Sequence, residues 1–150
     1  AMLRATLVQC DLFYPSVDEI EALTGLAAAD DIVRWSLDQG ARAVALKLGA
    51  KGSPVSSGSG VEDVLPHRAQ PVDATGAGDC YAGTMLARLA VGAALAQAAR
   101  AANIAAALST QGHGAVRRCR AGRTYAHACG SAPARRMAIQ CAFSRFTLRP

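Results

Sequence analysis

One run of residues constrains the chain more than any other, because it combines two glycines and two carboxylates just before a long alanine-rich stretch. It reads Pro71-Val72-Asp73-Ala74-Thr75-Gly76-Ala77-Gly78-Asp79-Cys80-Tyr81-Ala82-Gly83. Gly76 and Gly78 allow a sharp turn that exposes backbone N–H groups. A helix that begins near Gly78 adds the positive end of its dipole at the same point. The sequence therefore predicts an anion-binding turn at the start of a helix.

Asp79 follows this turn directly. A carboxylate in that place is a candidate to take a proton from a hydroxyl group that attacks a phosphoryl group. The run is not a P-loop, because no Gly-Lys-Ser/Thr follows the glycines. Its glycine spacing also differs from that of a dinucleotide-binding fingerprint. The structural alternative is a capped helix start, which would place the aspartate before the glycines rather than after them.

Asp73–Asp79 resembles the C-terminal signature of the PfkB/ribokinase family of carbohydrate kinases, Asp-Thr-x-Gly-Ala-Gly-Asp. It departs from that signature in having Ala74 where threonine is commoner. The resemblance implies an α/β fold, namely a three-layer ribokinase-like (Rossmann-like) arrangement with a mostly parallel sheet. It also implies that the γ-phosphoryl group of ATP is transferred to a hydroxyl group of a sugar or sugar acid.

The same resemblance implies a role for each residue of the run. Asp79 would be the general base, and the N–H groups of Gly76, Ala77 and Gly78 would stabilise charge on the transferring phosphoryl group. Mg²⁺ is expected on the ATP phosphates. Asp73 and Thr75 would orient the loop, and they are the candidates to hold a K⁺ ion.

A second segment, Leu12–Gly25, resembles the Pro-Asn-x-x-Glu…Leu-Thr-Gly stretch of this family, in which the asparagine and glutamate help to place magnesium. Glu19 matches the glutamate, and Ser16 replaces the asparagine. The resemblance makes Glu19 a magnesium partner. A serine followed three residues later by glutamate is also typical of a capping box at a helix start. Both interpretations stay open.

A third segment follows the nearly continuous apolar run Ala43–Leu48, which is typical of a strand covered on both faces. Open α/β sheets bind ligands at the carboxyl ends of such strands. The run Lys47–Gly52 resembles the nucleotide-side loop of the family, in which Gly49 and Gly52 would allow close approach of ATP and Lys47 would add charge. A β-turn with solvated lysines is the alternative.

Apolar periodicity predicts the remaining elements. They are a strand over Ala5–Phe13, helices over Ser16–Leu23, Ala27–Gln39, Asp79–Leu89 and Ala93–Leu108, and a hairpin around Ser53–Gly60. His67 has no partner at metal-ligand spacing and is interpreted as a surface histidine. Asn103 lies among apolar residues of the last helix. The resemblance puts it beside the adenine of ATP, and helix packing is the alternative.

The net charge of +5 is unevenly distributed along the chain. Residues 1–116 carry eight Lys/Arg and eleven Asp/Glu, whereas residues 117–150 carry eight arginines and no acid or lysine. We interpret 1–116 as the C-terminal nucleotide-binding portion of a PfkB-type kinase domain. The tail 117–150 is interpreted as a frameshifted or disordered end, with an Arg-rich arm that binds nucleic acid as the rival.

The resemblance covers residues 5–116 and matches the later half of such a kinase. We therefore expect a sheet that is incomplete on its N-terminal side and a chain without most sugar contacts. No apolar run is long enough for a membrane span, and the first residues do not resemble a signal peptide, so a cytoplasmic protein is expected. The five cysteines lack Cys-x-x-Cys spacing, which argues against a zinc site.

Two functions of different class stay open. The first is a truncated ATP-dependent carbohydrate kinase, whose partners would be a sugar or sugar acid and either a second copy of the chain or a separate N-terminal half. Neither a membrane nor nucleic acid is expected as a partner of that enzyme. The second is a non-catalytic remnant or a basic nucleic-acid-binding protein.

Overall fold

The computed structural model describes residues 2–114. The hypotheses about the arginine-rich tail concern residues 117–150, which lie outside this range. The helices are α1 (Met2–Leu7), α2 (Val17–Thr24), α3 (Ala29–Asp38), α4 (Ala77–Ala90) and α5 (Leu95–Ser109). The strands are β1 (Val44–Ala45), β2 (Ser53–Ser56) and β3 (Val61–Val64), with a short 3₁₀ turn over Gly49–Lys51. The α/β class is thus confirmed. None of the helices between residues 2 and 114 has the length and apolarity needed to cross a bilayer.

The three strands lie in the order β1-β2-β3, and both neighbouring pairs are antiparallel. Val44 faces Ser56 in the first pair, and Ser53 faces Val64 in the second. Short connections force this arrangement, because parallel strands need a long crossover between them. Parallel pairing occurs at two isolated bridges, Phe13 with Val44 and Ser16 with Lys47. The resemblance implies a mostly parallel sheet. Within residues 2–114, parallel pairing between strands is limited to the edge beside β1.

The strand predicted over Ala5–Phe13 is wrong in most of its length. Residues Met2–Leu7 form a helix instead, and Phe13 alone of the predicted strand bridges to β1. Leu7 is buried at 1% exposure. Val8 packs on Gly40, since a Cβ added to Gly40 would lie 2.5 Å from Val8 Cγ1. A short apolar run does not distinguish helix from strand by periodicity, so tertiary packing decides here.

Helices α2 and α3 pack on β1 and form what we call the α2–α3 side. The capping box predicted for α2 is present: the Ser16 N–H donates to Glu19 Oε2 at 2.7 Å, and the Glu19 N–H donates to Ser16 Oγ at 3.4 Å. Gly25 ends the helix with φ +77°, as predicted. The apolar cluster of this side consists of Ile20, Ile32, Val33, Ala41, Val44 and Leu46.

Helices α4 and α5 pack on each other and on β2 and β3, and form the α4–α5 side. Its buried cluster includes Ala45, Val55, Val64, Tyr81, Met85, Ala98, Ala99 and Ala102. Small alanine side chains let α5 approach the strands closely, and Met85 of α4 is fully buried in the same cluster. Burying a side chain as large as Met85 stabilises the fold by about 1.5–3 kcal/mol.

Candidate functional site

A cleft of about 580 Å³ lies beside the start of α4. It brings together much of what the sequence predicted as a site, because Lys47, Gly49, Gly52, Ala77, Gly78 and Asn103 all line it. The sequence interpretation missed a further wall, which is the segment after β3. There Pro66, His67 and Arg68 line the cleft, so His67 is a cleft residue and not merely a surface one.

The start of α4 presents backbone donors to this cleft. Gly76 enters the helix with φ +78°, a conformation that glycine adopts readily. The Ala77 N–H donates to the Ala74 carbonyl at 3.1 Å, so this predicted phosphate donor already has an acceptor. The N–H groups of Gly76, Gly78 and Asp79 donate to no acceptor among residues 2–114. Together with the helix dipole, such N–H groups form an anion-binding site.

Two charged side chains accompany these donors. Asp79 lies in the first turn of α4 and is exposed to solvent. The ammonium of Lys47 is 3.9 Å from the point that a Cβ on Gly78 would occupy. Lys47 is also three-quarters buried, since 24% of its side chain is exposed. A positive charge is therefore held next to the unpaired N–H groups, with a carboxylate nearby on the same helical turn.

Glu19 connects to the cleft through Lys47, because its Oε2 lies 3.9 Å from Lys47 Nζ. The backbone N–H of Ser16 is the main cause of the lowered pKa of Glu19, with smaller contributions from the Ser16 hydroxyl and from Lys47. The carboxylate therefore already serves the capping box. No cluster of three or more His, Cys, Asp or Glu suitable for a metal ion occurs within residues 2–114. A metal held by protein carboxylates alone does not fit this part of the chain.

Asp73 forms a corner beside the turn. Its Oδ1 accepts the Thr75 N–H at 2.9 Å, and its Oδ2 accepts the Gly114 N–H at 2.9 Å. The Gly114 N–H and then Thr75 lower the pKa of Asp73 to about 2. The backbone N–H groups of Val72 and Asp73 both donate to the Thr110 carbonyl. The end of α5 is thereby fastened to the loop that precedes α4.

The glycine turn before β2 is closely packed. Gly52 has φ +94°, and an added Cβ would lie 2.3 Å from the Val64 carbonyl oxygen. Gly49 has φ +59°, and the Gly52 N–H donates to its carbonyl at 3.2 Å. Only glycine fits at position 52, so this turn is a packed wall of the cleft and differs from a solvated β-turn.

Asn103 is 8% exposed, and its side-chain amide contacts protein groups. Its Nδ2 donates to the carbonyls of Val64 at 3.2 Å and Leu65 at 3.1 Å. Its Oδ1 accepts the Ser53 hydroxyl at 3.2 Å. The packing interpretation therefore describes this side chain, although the residue also lines the cleft.

Tyr81 is a cleft residue that the sequence interpretation did not single out. Its hydroxyl donates to Ser53 Oγ at 2.9 Å, and burial raises its pKa. Ser53 and Tyr81 are 28 residues apart, and no local pattern links them. Only the fold brings them together.

Comparison with known proteins adds an independent observation. Residues 1–120 match the family model for the pfkB family carbohydrate kinases. A 2-dehydro-3-deoxygluconokinase from Bacillus subtilis is 32% identical over 105 residues, which cover 69% of this chain and 32% of that protein. An ATP-dependent 6-phosphofructokinase from Thermoanaerobacterium thermosaccharolyticum is 32% identical over 79 residues, or 53% of this chain and 24% of that protein.

Solved structures show the same architecture. A Vibrio cholerae fructokinase with fructose, ADP and calcium bound gives a TM-score of 0.75 at 28% identity, over 83% of this chain and 42% of that one. A Thermotoga maritima ribokinase gives a TM-score of 0.70 at 27% identity, over 75% of this chain and 39% of that one. These likenesses confirm the ribokinase-like fold. The chain spans about a quarter to a third of the curated relatives it matches.

Proposed function

This chain belongs to the pfkB family of carbohydrate kinases, and we propose that it supplies the ATP site and the catalytic aspartate for phosphorylation of a sugar or sugar-acid hydroxyl group. The observation that carries the proposal is the start of α4. There the N–H groups of Gly78 and Asp79 lack acceptors among the described residues, and Gly78 lies beside the Lys47 ammonium and lines a cleft of about 580 Å³. A phosphate chain has the charge and the acceptor oxygens that such donors bind.

Asp79 is proposed as the general base. Its exposed carboxylate takes the proton of the acceptor hydroxyl while that oxygen bonds to the γ-phosphorus. The bond from the γ-phosphorus to its bridging oxygen breaks, and the electron pair leaves with ADP. The N–H groups of Gly76 and Gly78 stabilise the charge on the phosphoryl oxygens, and Ala77 closes the turn that orients them. Loss of one such donor typically costs about 3 kcal/mol of barrier.

The remaining cofactor contacts follow from the walls of the cleft. Lys47 would bind phosphate oxygens, and Gly49 and Gly52 would let the nucleotide approach the backbone. Magnesium, when bound with ATP, neutralises part of the phosphate charge. Glu19 would hold one of its waters, and its Oε2 lies 3.9 Å from the ammonium of Lys47, which lines the cleft.

A potassium ion is the second cation in the proposal. Asp73 and Thr75 are the residues that would hold it, at the corner where Gly114 approaches the loop. Both carboxylate oxygens of Asp73 already accept backbone N–H groups. Backbone carbonyls of the corner would therefore have to supply most of the ion's ligands.

The acceptor class is supported by the relatives. One matched protein is a 2-dehydro-3-deoxygluconokinase, and one matched structure is a fructokinase with fructose bound. Both act on, or bind, small polyhydroxylated carbonyl compounds. We therefore propose a hexose or a sugar acid as the acceptor. A cytoplasmic location stays a prediction.

The decisive test is transfer of ³²P from [γ-³²P]ATP to 2-dehydro-3-deoxygluconate or D-fructose by the full chain. Asp79→Asn should slow transfer by about 10²–10⁴-fold while leaving the ATP dissociation constant unchanged. Asp63→Asn, an exposed carboxylate on β3, is the matched control and should keep the wild-type rate. Equal rates for Asp79→Asn and wild type would reject the role of Asp79. If the wild type binds ATP but transfers no phosphoryl group, the proposal would be reduced to a nucleotide-binding site without catalysis.

A further inference from the structure

We propose that Tyr81, Ser53 and Asn103 form a positioning network that fixes the walls of the cleft. The proposal rests on the proposed function, because ATP is taken as the occupant of the cleft. It assigns a role to Ser53 and Tyr81, and it adds a structural role for Asn103 to the expected position beside adenine.

The network is a continuous chain of hydrogen bonds. The Tyr81 hydroxyl donates to Ser53 Oγ at 2.9 Å, and the Ser53 hydroxyl donates to Asn103 Oδ1 at 3.2 Å. The Asn103 amide then donates to two carbonyls, those of Val64 and Leu65. All three side chains are buried, at 3% exposure for Tyr81, 1% for Ser53 and 8% for Asn103. Buried hydrogen bonds between distant elements restrict how those elements move relative to one another.

Each end of this series of hydrogen bonds reaches a different wall of the cleft. Tyr81 lies two residues after Asp79, so it fastens the first turns of α4 to the start of β2. Ser53 directly follows Gly52, a cleft residue in the glycine turn. Asn103 reaches from α5 to the end of β3, just before Pro66 enters the cleft wall. The network therefore couples the phosphate-binding turn to the opposite side of the cleft.

The Asn103 amide uses its N–H donors within the protein. A side-chain amide offers two N–H donors, and its Nδ2 donates to the carbonyls of Val64 and Leu65. Its oxygen accepts from Ser53 and keeps a second lone pair. Donation to a ring nitrogen of adenine would break a buried hydrogen bond and leave a buried carbonyl without its partner, which is unfavourable. The amide instead determines where the cleft wall lies.

A positioning role and a base contact predict different results. Loosening the walls lowers the affinity for every nucleotide by the same factor, because the phosphate site and the opposite wall lose their fixed spacing. Loss of a base contact lowers the affinities for ATP and GTP by different factors, because the two purines present different edges. The ratio of the two dissociation constants therefore distinguishes the roles.

The test uses Tyr81→Phe, which removes one hydroxyl and keeps the buried ring. Isothermal titration of the full chain with ATP and with GTP should show both dissociation constants raised about threefold to tenfold, with their ratio unchanged. Ser36→Ala is the matched control. It also removes a buried hydroxyl, one that donates to the Ile32 carbonyl at 2.7 Å on the α2–α3 side. This control should leave both dissociation constants at their wild-type values.

Wild-type affinity in Tyr81→Phe, or a changed ratio of ATP to GTP, would overturn the inference. A wild-type chain that binds no nucleotide would instead reject the proposed function. In that case amide hydrogen exchange decides the inference. Tyr81→Phe should speed exchange both in the first turns of α4 and at Val64 and Leu65, whereas Ser36→Ala should change neither. Unchanged exchange at these two places would also overturn it.

Discussion

The α2–α3 side and the α4–α5 side each bury an apolar cluster, but they differ in their buried polar groups. On the α2–α3 side the buried Ser36 hydroxyl bonds within its own helix, to the Ile32 carbonyl. On the α4–α5 side Ser53, Tyr81 and Asn103 connect elements that are far apart in the sequence. The first side is therefore held by packing, whereas the second adds directional links next to a cleft.

This difference has a physical reason. Apolar burial is roughly proportional to area and does not depend on direction, so it stabilises a fold without fixing fine distances. Hydrogen bonds weaken steeply when their geometry is lost. A surface that must match a ligand needs the second kind of contact. We expect substitutions on the α2–α3 side to change stability, and substitutions around the cleft to change binding.

The largest effect on stability is expected from Ile32→Ala. Ile32 is fully buried at 0% exposure in the apolar cluster. Its truncation should lower the free energy of unfolding by about 2–5 kcal/mol, and Ile32→Val by about 0.5–1.5 kcal/mol. Urea denaturation measures both losses. The ATP dissociation constant of the folded variants should stay unchanged, and a large change in it would remove the distinction between the two sides.

Lys47→Met is expected to act on binding instead. Methionine keeps much of the apolar stem and removes the ammonium beside Gly78. The affinity for ATP should fall about tenfold, as is typical for loss of a hydrogen bond to a charged group, while the affinity for adenosine stays the same. Lys51→Met, an exposed lysine on the same turn, is the control and should bind ATP normally. Equal losses for ATP and adenosine would contradict a phosphate contact.

Protonation of Asp73 should give the smallest effect on the structure, and this effect depends on pH. Its pKa is lowered from 3.8 to about 2, first by the Gly114 N–H and then by the side chain and the N–H of Thr75. A lowered pKa in the folded state means that the ionised carboxylate stabilises this corner. That contribution is present above pH 3.8 and is lost as the pH falls through about 2. NMR titration of the Gly114 amide should show this midpoint, and Asp73→Asn should abolish it. A midpoint at 3.8 would show that the corner is not formed.

The sequence was sufficient where local chemistry decides the structure. The capping box of Ser16 and Glu19, the stop at Gly25 and the turn at Gly76 each depend on a few neighbouring residues. The alanine-rich pattern likewise predicted α4 and α5 close to their observed bounds. The resemblance added the fold, which the solved neighbours confirm.

The sequence was not sufficient where contacts between distant residues decide. Leu7 is buried at the end of a helix, and its neighbour Val8 packs on Gly40, a contact that no local pattern reveals. The Ser53–Tyr81 link joins two elements with no shared motif. The Asn103 Nδ2 donates to two backbone carbonyls, and carbonyls carry no sequence signal. The site roles assigned by resemblance stay proposals.

The most direct test of the central claim is an NMR map of the backbone amides of the full chain titrated with ATP and Mg²⁺. We predict that the amide signals of Gly78 and Asp79 shift most, together with those of residues 67–69, and that the signals of α2 beyond Glu19 and of α3 stay unchanged. Adenosine should shift the signals of residues 67–69 and leave those of Gly78 and Asp79 in place. An ATP titration that leaves Gly78 and Asp79 unshifted, or that shifts α3 instead, would contradict the account.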